Sequence, residues 1–298
     1  MAIRRGFPPS RRAARLRSPR PEPRFISRLR GGRRSGNIRA VPPPPEPVTY
    51  ERTGAAAVLT IDRQERRNAV DGPTAELLAA GYERFEADDD ARVLILTGAG
   101  DVAFCAGADL KAIDSFAPRL EDPAGPLGFT RRTASKPTIA AISGWCLAGG
   151  LELALWCDLR IAAAGSMLGF PERRWGVPLI DGGTQRLPRI VGLGRALDMI
   201  LTGRIVPGEE ALEMGLVNEI VPPGEHLTRA LVLADGLARF PQETMLADRM
   251  AAIEGLGLSL RDGLAREARA GREVFEVARR GAARFASGEG RGGEGAGV

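Results

Sequence analysis

Glu152 stands in the most chemically suggestive stretch of this chain, GWCLAGGLELALWCD from Gly144 to Asp158. An apolar, strand-like run from Thr138 to Ile142 precedes it, and a helical pattern begins near Gly149 and Gly150. The glutamate therefore falls in the first turn of that helix. The first amides of a helix have no partners within it and sit at the positive end of its dipole. Where glycines let a ligand approach the backbone, such amides can hold an anion or a developing oxyanion. A carboxylate beside them suits proton chemistry on a polarised carbonyl. An ordinary first-turn glutamate fits these fifteen residues as well.

Other reactive side chains are sparse. His226 is the single histidine and lies in the turn PPGEH, far in sequence from every glycine motif. A serine or cysteine nucleophile would depend on that one residue, which argues against such a mechanism. Cys105, Cys146 and Cys157 form no CxxC pair and no metal-ligand spacing, so no metal is expected. Three apolar-flanked cysteines fit reduced core thiols in a cytoplasm.

The charge divides along the chain. Residues 1–45 carry thirteen arginines and one acid, Glu22, for a net of +12; the total of +5 leaves −7 for residues 46–298. This first segment is rich in Arg and Pro and too poor in apolar residues to offset its chain entropy. It reads as a disordered tail; the alternatives are an organelle transit peptide, placing the protein in a matrix, or sequence upstream of the true start. Arginine blocks attract RNA non-specifically. The tail, however, has no interleaved aromatics and the body is acidic, which argues against nucleic acid as a partner. No apolar run reaches the ~20 residues that cross a bilayer, so no membrane insertion is expected.

The elements that must position Glu152 begin at Val48. Ala56 to Ile61 reads as a strand, Thr74 to Ala87 as an amphipathic helix and Arg92 to Thr97 as a buried strand. Strand, helix, strand in this order implies a parallel crossover. AFCAGADL (Ala103 to Leu110) reads as a small-residue loop, and Ser115 to Arg132, with three prolines, as an irregular, variable loop and helix. Thr138 to Ile142 and Leu159 to Ala163 are further strands. Helices are expected at Thr184–Val191, Gly194–Leu201, Glu209–Met214, Leu227–Arg239 and Gln242–Ile253.

Five ordered blocks then become specific: FCAGADLK (Phe104–Lys111), the Gly144–Asp158 segment, FPE (Phe170–Glu172), DGGTQRLPRIVG (Asp181–Gly192) and LTGRIVPGEEALEMGLVNEIVP (Leu201–Pro222). With RNAV (Arg67–Val70) after the first strand, they resemble the crotonase superfamily, and most of all enoyl-CoA hydratases, over roughly Val48 to Arg284. The resemblance implies an α/β fold, a spiral of repeated β-β-α units over residues 46–193. A helical trimerisation region at 194–286 and a flexible tail at 287–298 follow. It also implies a homotrimer or dimer of trimers, an acyl-CoA thioester substrate, and no cofactor beyond the CoA that the substrate carries.

Carried over residue by residue, the resemblance puts the oxyanion-hole amides on Ala108 and Gly149. The acid/base pair becomes Glu152 and Glu172, which would hold a water and add it across a trans-2-enoyl thioester to give a 3-hydroxyacyl-CoA. Ala106, Asp109, Leu110 and Lys111 match the segment that wraps CoA, although a solvated surface role fits Lys111 almost equally. An isomerase, or another crotonase-type lyase or hydrolase, would use the same oxyanion hole. The chain departs from the pattern at Ala148, where glycine is common, and in the loop RRWGVPLIDGG after Glu172. There Ile180 takes a usual glycine position and Asp181 adds a carboxylate, as an auxiliary acid or as a loop cap.

Overall fold

The structure, a computed structural model, describes residues 46–289. The expectations for the arginine-rich segment 1–45 and for the last residues, 290–298, lie outside the described residues. A hairpin opens the fold: β1 (Val48–Thr53) and β2 (Ala56–Ile61) pair antiparallel around Gly54, whose φ of +59° suits the tight turn. Helix α1 (Gly72–Ala87) follows, capped by Asp71, whose carboxylate accepts the amide of Thr74 at 2.9 Å. Next come β3 (Val93–Gly98) and the short β4 (Ala103–Cys105).

The same long-strand, short-strand rhythm repeats. Strands β5 (Thr138–Ile142) and β6 (Trp145–Leu147) lead into α2 (Gly149–Trp156). Strands β7 (Leu159–Ala163) and β8 (Met167–Gly169) lead into a 3-10 turn at Pro171–Trp175 and then α3 (Gly183–Val191). After α4 (Leu193–Thr202) come β9 (Ile205–Pro207), α5 (Gly208–Glu213) and β10 (Glu219–Val221). The long strands and the three-residue β10 form a six-stranded sheet of order β1-β2-β3-β5-β7-β10, and the other short strands a four-stranded sheet of order β4-β6-β8-β9. Within the large sheet β2, β3, β5, β7 and β10 run parallel. This is the expected spiral of β-β-α turns, with the predicted parallel crossover at β2-α1-β3.

The large sheet is buried on both faces, which is why β3 and β5 read as continuous apolar runs. One face, with Leu94, Leu96 and Ile142, packs on Leu78 and Phe85 of α1 and on Leu151 of α2. The other, with Val93, Ile95, Ile139 and Ile161, is covered by Ala230 and Ala234 of α6 (His226–Arg239). Buried Arg160 closes the C-terminal end of α2 by donating to the carbonyl of Cys157 at 2.7 Å, a favourable place for a cation at a helix C-terminus.

Three further helices, α7 (Gln242–Gly255), α8 (Leu260–Glu273) and α9 (Phe275–Ala286), complete a C-terminal helical bundle with α6. Helix α7 is tied to the core where Arg249 donates to Asp158 at 2.9 Å. The expected helices all form, with ends shifted by one or two residues, and α8 and α9 add to them. The three-residue strands were illegible, and Ala103–Cys105, expected as loop, is the strand β4. A three-residue strand shows no period to read; only its pairing in a sheet defines it.

Candidate active site

The segment from Ala106 to Asp109 is laced to Arg67–Val70. Ala106 donates to the carbonyl of Arg67 at 3.0 Å, Val70 to Gly107 at 2.8 Å and Asp109 to Val70 at 2.7 Å. Among the described residues that pattern leaves the intervening amide of Ala108 without a partner. Gly107 has φ +90°, and a Cβ there would come within 2.8 Å of the Gly149 amide, so only glycine fits. Across the gap, the Gly149 amide begins α2 and is likewise unpartnered, as helix geometry requires. A Cβ built on Gly149 would lie 3.6 Å from the Ala108 nitrogen. The two amides expected to act together are thus side by side. Between them and β6 sits Ala148, at φ +53° and ψ −128°, a conformation that strains any residue with a side chain.

Both amides border one cavity of ≈ 400 Å³, and Glu152, Glu172 and Asp181 border it too. Its remaining walls are apolar, among them Phe116, Leu127, Leu147, Val177 and Ile180. Glu152, in the first turn of α2, is buried, and its Oε1 accepts the amides of Asp181 at 2.9 Å and Gly183 at 2.8 Å. Burial, reinforced by the charge of Asp181, pushes its carboxyl up to about 8 against those two donors. Glu172, on the Pro171–Trp175 turn, is buried with its Oε2 unpartnered. Burial raises it to about 7, opposed by Arg173. Among the described residues it pairs with neither Arg173 nor Arg174.

Asp181 is buried as well, its Oδ1 accepting the amide of Leu127 at 3.0 Å and the hydroxyl of Thr130. Its carboxyl is raised by burial and lowered by those donors. Its main-chain carbonyl accepts Arg186 Nη1 at 2.9 Å. It therefore caps a loop and borders the cavity at once. Ala106 and Leu110 line the cavity. Asp109 turns inward instead, to Arg63 at 3.3 Å, and Lys111 is exposed and outside the cavity lining. Cys105 is buried and its thiol pushed up to about 12, while His226 lies at the start of α6, away from the cavity walls.

Sequence reasoning missed the wall from Ile113, Phe116 and Leu120, the last two within the stretch read as irregular. Their spacing of three and four is helical, and a 3-10 segment at Leu110–Arg119 does form there. Pro118 inside it obscured the period. Missed too were Thr130 and Arg186, which serve the site only through contacts distant in sequence.

A two-sheet spiral that sets paired free amides beside buried carboxylates in an apolar cavity defines an α/β enzyme of the crotonase fold. The chain belongs to the enoyl-CoA hydratase/isomerase family, whose model matches residues 51–287. It is similar to the short-chain-enoyl-CoA hydratase of Clostridium acetobutylicum, with 35% identity over 77% of this chain and 90% of that protein. It is similar to the (E)-benzylidenesuccinyl-CoA hydratase of Thauera aromatica, with 35% identity over 73% of this chain and 86% of the relative. The crystal structure of an enoyl-CoA hydratase from Mycobacterium marinum superposes with a TM-score of 0.77 at 37% identity, covering 81% of this chain and 96% of that one.

Proposed function

We propose that the protein adds water reversibly, in syn fashion, to a trans-2-enoyl-CoA, giving a 3-hydroxyacyl-CoA. One observation carries this reading: two buried glutamates, Glu152 and Glu172, border the same cavity as the two unpartnered amides of Ala108 and Gly149. Attack of water on the β-carbon sends negative charge to the thioester oxygen. The two amides receive that charge, and preorganised donors of this kind contribute about 3 kcal/mol to the transition state. The glutamates hold the water; one carboxylate accepts its proton and a carboxyl returns one to the α-carbon. Two carboxyls raised to about 8 and about 7 share one proton near neutral pH, which suits them to both halves of the task. CoA is held along Ala106 and Leu110, with Asp109 fixing that segment from behind and Lys111 near its end; Asp181 is an auxiliary group.

The assembly that goes with this reading is a homotrimer or dimer of trimers. Large apolar side chains stand exposed on the C-terminal helices and the turn between them, including Leu256, Leu260 and Phe275, as monomers rarely leave them. Among the described residues no helix is long and apolar enough to cross a membrane. Three buried, free cysteines accord with a cytoplasmic enzyme.

The deciding experiment follows the absorbance of conjugated enoyl thioesters of several chain lengths and shapes. Hydration removes the conjugation, so absorbance falls and a 3-hydroxyacyl-CoA accumulates. Persistence of the conjugated thioester across the panel, with conversion of a 3-enoyl-CoA, would make the protein an isomerase instead.

A further inference from the structure

We propose that Asp181 is a positioning residue for Glu152: it holds the Glu152 carboxyl in one orientation, with the acid proton on the oxygen left to the cavity. One of the two hydrogen bonds that fix this carboxyl comes from Asp181 itself. Its main-chain amide reaches Oε1 of Glu152 at 2.9 Å, and the amide of Gly183 reaches the same oxygen at 2.8 Å. An oxygen that accepts two N–H donors is a poor place for a proton. The proton of the neutral acid is therefore displaced to Oε2, which makes no hydrogen bond among the described residues. Gly183 is required for this arrangement, since a Cβ on it would stand 3.0 Å from Oε1.

The carboxylate of Asp181 acts on the same group through space. It is anchored at Oδ1 by the Leu127 amide and the Thr130 hydroxyl, so it cannot swing away from the site. Burial leaves its carboxyl raised, and those donors, with Arg131 and Arg186, work against that rise in favour of the ionised form. Three charged groups face Glu152. Asp181 and Glu172 favour its protonated form, Asp181 more strongly, and the guanidinium of Arg186 opposes them. Loop position and charge thus converge: the residue that fixes the orientation of the carboxyl also keeps it protonated. Leu127, held by the same carboxylate, lies against Gly149, with its Cδ1 2.9 Å from where a Cβ would be. The Asp181 side chain thus anchors the loop whose amide holds the acid, and with it the cavity wall beside Gly149.

Asp181→Asn tests this, because the amide side chain keeps an acceptor for Leu127 and Thr130 but carries no charge. The titration of Glu152 is read in the free enzyme by infrared or carbon-13 spectroscopy, with Glu152→Gln identifying its signal. The expected result is a shift to lower pH by about one unit, the size of a like-charge effect at close range. The alkaline limb of kcat/KM should move with it while KM changes little. Asp181→Ser, smaller and also able to accept, replaces Asp181→Asn if the latter misfolds. An unmoved Glu152 titration in a folded variant, with activity reduced equally at every pH, would overturn the proposal. The kinetic limb rests on the hydration reading above, but the spectroscopic titration does not. Wild-type enzyme that fails to hydrate any enoyl thioester would therefore sink that reading and leave this one to be decided by the titration.

Discussion

Arg63 grips Asp109 from inside the protein, Nη2 to Oδ2 at 3.3 Å, and the same nitrogen reaches Asp71 at 2.8 Å. Asp71 caps α1, and Asp109 follows Ala108 directly, so one guanidinium fixes the Ala108 segment to the first helix of the fold. The side chain at 109 therefore acts by holding the backbone on which Ala108 and Leu110 stand.

Arg63→Met should loosen that segment. A misplaced oxyanion donor weakens transition-state binding more than ground-state binding, and small displacements cost on the order of tenfold or more in rate. We expect kcat to fall by about that factor with KM changed far less. Arg63→Lys, which restores one ion pair, should recover part of the loss. A variant with raised KM and unchanged kcat would place Arg63 in ground-state binding instead.

Glu152→Gln and Glu172→Gln should each lower turnover by roughly two to four orders of magnitude, the range for removing a positioned acid or base. Binding of a saturated acyl-CoA, measured by calorimetry, should survive in both, because the amides of Ala108 and Gly149 are untouched. Near-wild-type turnover in either variant would remove that residue from the pair.

The two raised carboxyls make activity and stability depend on pH in linked ways. With values of about 7 for Glu172 and about 8 for Glu152, the singly protonated pair is most populated between them. A bell-shaped profile of kcat/KM centred there is expected, and a flat profile from pH 6 to 9 would contradict it. Both groups bind protons more tightly folded than unfolded. Their contribution to stability is therefore fully present below the ordinary carboxylate range and is lost as pH rises through about 7 and about 8. Melting temperature should fall over that interval, and the fall should be smaller in Glu152→Gln.

Ala148 carries backbone strain at φ +53° and ψ −128°, beside the Gly149 amide. Replacing it by glycine removes ~1–3 kcal/mol of strain and costs ~0.5–1 kcal/mol in unfolded-state entropy. The balance favours Ala148→Gly by about 1 kcal/mol, a rise in Tm of roughly 2–4 °C for a domain of this size. Calorimetry checks it, and a lower Tm would show that the turn is relaxed with alanine in place.

Much of this was legible in the residues alone. Apolar runs such as Val93–Gly98 and Thr138–Ile142 declare buried parallel strands because both faces must exclude water, and that requirement is local. Glycines 107, 149 and 150 and the glutamates at 152 and 172 mark the site because backbone approach and proton transfer each need a particular residue type. Other features depend on partners far along the chain. The strands β4, β6 and β8 exist only through their pairing, and Ile113, Phe116 and Leu120 become a cavity wall only when the spiral closes over them. The meaning of a carboxylate is the least local of all. Asp109 matches a CoA-wrapping segment and Asp181 reads as an auxiliary acid or a loop cap, yet folding turns one toward Arg63 and sets the other beside Glu152. Residue type determined what chemistry was possible; the dielectric and the neighbours supplied by tertiary packing decided which groups can perform it.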